Sequence, residues 1–176
     1  MREEIRKLFP ELQEIRDAVL REKVLDVWLE AVETGGWKPA DLMQIPFTLL
    51  ADDVQIMYLE HVRTVCRMCI AMEDVLKDAY GDRSRIDHDT LVAGALLADV
   101  GKMLEYERRD GQIVKGRKGE YLRHPFSGVG LCYRHAIPDA VMHMVATHSK
   151  EGDHVKRFPE SIIFHHADFT DFELVK

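Results

Sequence analysis

An acid set inside an apolar helical run limits what this chain can fold into more than any other feature. Residues 96–102 read LLADVGK, so Asp99 is flanked by Leu96, Leu97, Ala98 and Val100 and followed by Gly101 and Lys102. A buried carboxylate is costly unless cations or hydrogen-bond donors surround it. Any fold that buries this run must therefore bring partners to Asp99 from other elements. The sequence supplies nine histidines, several of them in apolar surroundings.

The rest of the composition narrows the class. A length of 176 residues suits one domain with a sizeable core. The net charge is −7, and acids and bases are interspersed instead of blocked. That argues against a basic face for a nucleic-acid polymer, but allows a small anion gripped by local basic residues. No apolar run reaches membrane-spanning length, and the opening MREEIRKLF lacks a signal-peptide core. Three cysteines give no disulfide framework and fit a reducing compartment. The expectation is a cytoplasmic protein with a small-molecule substrate.

The chain reads as all-α. Leu12, Ile15, Val19 and Val27 recur at helical spacing over 11–34, and Gly35-Gly36 with Pro39 ends that run. A second helix is expected from Asp52 or Asp53 to Tyr80, and a third after Asp87 or Asp89, carrying LLADVGK. Between 106 and 119 the pattern changes to a short hairpin or loop insertion, with Asp110-Gly111 as its turn and a lid as one use for it. Helices resume over 123–135, 138–148 and 159–174, with Pro138 and Pro159 at first-turn positions. Residues 1–46 form an N-terminal helical extension and 47–176 the main domain, as one compact unit.

His61, His124, His148, His165 and His166 lie in or beside apolar helical segments, whereas His88, His135 and His154 look like surface residues. Asp168 lies on the last helix. Imidazoles and carboxylates from different helices are how a bundle builds a metal site inside itself. Such donors suit manganese, iron, zinc, cobalt or nickel. Taken singly, a histidine on an apolar helix face is more often a hydrogen-bonded core residue than a ligand.

The order of these residues resembles the HD-domain superfamily of metal-dependent phosphohydrolases. HVRTV at 61–65 looks like the first histidine element, LLADVGK like the His-Asp element, and IIFHHADFTDFE at 162–173 like the closing aspartate helix. RHPFSGVGL at 123–131 and ATHS at 146–149 are similar to the segments that carry two further histidines. The resemblance covers about residues 50–175 and implies an HD-domain-like helical bundle. It implies that His61, Asp99, His124, His148 and Asp168 hold one or two divalent ions. It gives Asp99 and Lys102 the catalytic roles, with Lys102 near the substrate.

Ala98 departs from that family, which usually has histidine there. Alanine cannot coordinate, so three outcomes stay open. The ion is held by Asp99, His124 and His148; the first site is rebuilt through His165, one turn before Asp168; or the fold persists without metal. The resemblance implies a hydrolase using a metal-activated water, with a small phosphoester or nucleotide as the leading substrate. Alternatives are hydrolysis of a non-phosphorylated ring or a C–C or C–N bond, a di-iron oxygenase, and a non-catalytic ligand-binding domain.

Arg117, Lys118, Tyr121 and Arg123 precede His124, and Lys150 follows His148; together they are the candidate grip for an anionic substrate. Cys66 and Cys69 form a CxxC with no second pair, which reads as small core residues. Trp28 and Trp37 either pack onto the domain or anchor a homodimer.

Overall fold

Asp17 splits the first apolar-periodic stretch in two. Its Oδ1 accepts the N–H groups of Val19 (2.7 Å) and Leu20 (3.2 Å), so the long helix begins after it and not at residue 11. The computed structural model describes residues 1–51 and 54–175, with side chains described as far as Leu174. Helix α1 spans Arg2–Leu8; a single 3-10 turn at Pro10–Glu14 follows, and α2 spans Ala18–Gly35. The Arg16 and Asp17 N–H groups donate to the two oxygens of Asp89, both at 2.8 Å.

Helix α3 spans Tyr58–Tyr80, later than its expected start. Glu60 Oε2 accepts the Met57 N–H at 2.9 Å and sets that start; Asp52 and Asp53 lie outside the described residues. Helix α4 spans His88–Leu97, capped by Asp87, whose Oδ1 accepts the Thr90 N–H at 2.7 Å. His88 is therefore not a free surface residue. At the first turn of α4 it meets α3, with Nδ1 2.6 Å from Glu73 Oε2.

A short helix α5, Lys102–Glu105, runs straight into β1, Tyr106–Arg109, which pairs antiparallel with β2, Gln112–Lys115. Asp110 (φ 51°) and Gly111 (φ 82°) make the tight turn that the sequence signalled. Then come α6 (Arg117–Tyr121), α7 (His124–Arg134), α8 (Asp139–Thr147) and α9 (Pro159–Val175). Among the described residues the architecture is helical with one small two-stranded sheet, and α2, α3, α8 and α9 pack around the buried run of α4. Among the described residues no helix is long and apolar enough to cross a membrane.

One apolar core runs from Ile5 to Ala167 and includes Cys66 and Cys69. Residues 1–46 are built into it. Trp28 Nε1 donates to the Leu96 carbonyl (3.2 Å) and Trp37 Nε1 to that of Met103 (2.8 Å). Both indoles are buried within the chain, which decides for packing on the domain over a surface anchor. Their two bonds bracket the segment that carries Asp99.

Candidate metal centre

Asp99 lies on the turn after α4, not inside the helix. Ala98 closes α4 through its N–H to Gly94 O (2.8 Å), and Lys102 N–H returns to Asp99 O (2.9 Å), so 98–101 is a tight corner. The Tyr58 hydroxyl donates to the Asp99 carbonyl at 2.8 Å and pins the corner to α3. Gly101 lets α7 approach at backbone distance: a Cβ there would stand 2.1 Å from the His124 carbonyl oxygen. That approach delivers His124 to Asp99.

The two carboxylate oxygens of Asp99 face different groups. His124 Nε2 and His148 Nε2 each lie 3.4 Å from Oδ1 and 3.1 Å from each other. On the other side, His61 Nε2 is 3.2 Å from Oδ2 and 3.1 Å from Asp168 Oδ1. Among the described residues two clusters able to hold a cation result, Asp99–His124–His148 and His61–Asp99–Asp168, sharing one carboxylate. Asp99, His61, His124 and His148 are buried, and Asp168 is partly exposed.

The first of these clusters passes a geometric test for an ion. Donors about 2.0–2.1 Å from a tetrahedral ion stand about 3.3 Å apart, and its edges are 3.1, 3.4 and 3.4 Å. The hydrogen bonds behind the rings fix which nitrogens are free. His124 Nδ1 is 2.6 Å from Glu105 Oε2, and His148 Nδ1 is 2.8 Å from the Val145 carbonyl. Acceptors at both Nδ1 positions assign the hydrogens there, leaving the Nε2 lone pairs aimed at each other and at a carboxylate. In that neutral tautomer the three atoms face one another without a donor, an arrangement that a metal ion, or a proton on one Nε2, would satisfy.

The other cluster is different. His61 Nδ1 is 2.7 Å from Asp171 Oδ2. Burial disfavours the His61 imidazolium, but hydrogen bonds to Asp168, Asp171 and Asp99 outweigh it and lift the group to about 10. Lys102 Nζ also sits on Asp99 Oδ2 (2.8 Å) and on the Phe47 carbonyl (2.8 Å). Burial alone would raise the Asp99 carboxyl; Lys102 and the three imidazoles hold it well below the usual range.

The residues expected to meet a substrate spread out. Lys102 is buried behind Asp99, its ammonium committed to that carboxylate three residues away. Arg117, Lys118, Tyr121 and Lys150 are exposed. Arg123 lies at the start of α7, with Nη2 3.4 Å from Ser149 Oγ and Nη1 3.4 Å from Glu151, so it ties the approach to His124 to the turn after His148. His165 joins neither cluster among the described residues. Although it stands one turn before Asp168, its Nδ1 is 3.4 Å from the His148 carbonyl and its ring lies against Phe169.

Glu105 and Asp171 were not singled out from the sequence. Each reads there as one acid among many, although Asp171 follows Asp168 at same-face spacing.

A family model described as HD domain matches residues 58–172. A protein of Methanocaldococcus jannaschii named dihydroneopterin 2',3'-cyclic phosphate phosphodiesterase is 33% identical over 119 residues. That match covers 66% of this chain and 46% of the relative, so the chain spans less than half of that protein's length. No solved structure matches the chain.

Proposed function

The chain belongs to the HD domain family, and from that premise we propose that it is a metal-dependent phosphohydrolase acting on a small, anionic phosphodiester. The observation that carries the proposal is the triangle of Asp99 Oδ1, His124 Nε2 and His148 Nε2, whose edges suit a divalent ion. The donor set of two nitrogens and one oxygen suits zinc, iron, manganese, cobalt or nickel. The His61–Asp99–Asp168 cluster is the weaker ion site in this reading. Ala98 supplies it with no ligand, and Lys102 already occupies Asp99 Oδ2.

A bound divalent ion supplies the acidity that turns a water into a nucleophile near neutral pH and offsets charge on phosphoryl oxygens. The residues do the rest. Asp99, His124 and His148 would hold the ion; Lys102 keeps Asp99 ionised in a buried setting. Arg123, anchored by Ser149 and Glu151, offers a guanidinium beside His124 for a phosphate oxygen. Water adds across one P–O bond, and the leaving alkoxide takes a proton, so the products are a phosphomonoester and an alcohol. The relative's printed name specifies a cyclic phosphate, itself a phosphodiester, and this supports a diester over a monoester.

The test is hydrolysis of 2',3'-cyclic AMP by protein reconstituted separately with each of the five metals. Formation of adenosine monophosphate is expected with at least one metal. His148→Ala should lower the rate by more than about 100-fold, beyond what loss of a residue behind a ligand does. Protein that binds an ion yet cleaves neither this diester nor bis(4-nitrophenyl) phosphate with any metal rejects the reading.

A further inference from the structure

His148 is held by a carbonyl of its own helix, whereas His124 depends on another element. Its ring is gripped by Glu105, at the end of α5, and the same oxygen, Oε2, accepts both the His124 N–H (2.8 Å) and Nδ1–H (2.6 Å). Two bonds to one residue set where α7 enters and how the ring is turned; rotating the imidazole to present Nδ1 to Asp99 would break one of them.

We propose that Glu105 is a positioning residue for the metal centre, fixing the orientation and tautomer of His124, and that the β1–β2 hairpin and α6 serve to hold Glu105 in place. This rests on the metal-centre reading given above.

Glu105 is buried, and its carbonyl accepts the Gly116 N–H at 2.8 Å where the hairpin closes. Helix α6 lies against its side chain: a Cβ on Gly119 would stand 2.6 Å from the Glu105 carbonyl oxygen and 2.7 Å from its Cγ. Glu105 is thus boxed between the hairpin base, α6 and His124, with no open direction for its side chain along α6. The glycine-bearing segment is a buttress in this account and not a lid. A charged acceptor on Nδ1 makes Nε2 a stronger donor to an ion than a neutral one would.

The experiment is calorimetric titration of chelator-treated full-length protein with Zn²⁺, for wild type, Glu105→Gln, Glu105→Ala and His124→Ala, alongside thermal unfolding of each without metal. Glu105→Ala should bind about 10–100-fold more weakly than wild type. Glu105→Gln, which keeps an acceptor oxygen but not the charge, should fall between them while unfolding within a few degrees of wild type. Affinity unchanged in both Glu105 variants, with wild type binding and His124→Ala not, overturns the positioning role and leaves the metal centre standing. Lowered unfolding temperatures with unchanged affinity likewise make Glu105 structural only. A folded wild type that binds no Zn²⁺ removes the metal centre itself, and this inference with it.

Discussion

The ammonium of Lys102 is buried against Asp99 Oδ2 and the Phe47 carbonyl, so its charge serves that carboxylate before it serves any ligand. Removing one partner of a buried ion pair costs about 3–5 kcal/mol, because the other charge is left uncompensated. Lys102→Met should therefore lose roughly that much stability in urea denaturation of the metal-free protein. Unchanged stability would mean that the imidazoles alone support Asp99. At this scale the sequence exposed Asp99 because an acid in an apolar run is conspicuous, and the ordered histidines pointed to its partners. Glu105 and Asp171 were hidden for the opposite reason. An acid beside a charged hairpin or in a polar helix stripe looks solvated until the fold puts an imidazole against it.

Between elements, the centre depends on how closely α7 meets the 98–101 corner. Gly101 has no room for a side chain: a Cβ would meet His124 O at 2.1 Å and Gly128 N at 2.7 Å, both backbone atoms that cannot swing aside. Gly101→Ala should destabilise the fold by about 1–3 kcal/mol or more. It should also weaken ion binding, since separating the elements moves His124 away from Asp99. Guanidinium unfolding and metal titration of the same sample check both; wild-type values in either would contradict the close approach. The hairpin was legible because Asp-Gly between extended pieces has few other uses. The start of α2 was not, because Leu12 and Ile15 fit helical spacing, and only the capping of Val19 and Leu20 by Asp17 shows where the helix begins.

For the whole molecule, the proposed ligands come from α3, the corner after α4, the start of α7, the end of α8 and α9. They meet only if the bundle closes around α4. The first 46 residues take part in that closure, with Trp28 and Trp37 bonded to carbonyls on either side of the Asp99 corner. The resemblance left this segment unexplained, because a buried tryptophan and a dimer-forming one look alike in sequence. The central claim, that one ion sits on the Oδ1 side of Asp99, is open to direct measurement. Elemental analysis of protein reconstituted with manganese, iron or zinc and then desalted should give about one ion per chain. His61→Ala should retain it and His148→Ala should lose it. No ion in the folded wild type, or an ion kept by His148→Ala and lost by His61→Ala, would contradict the account.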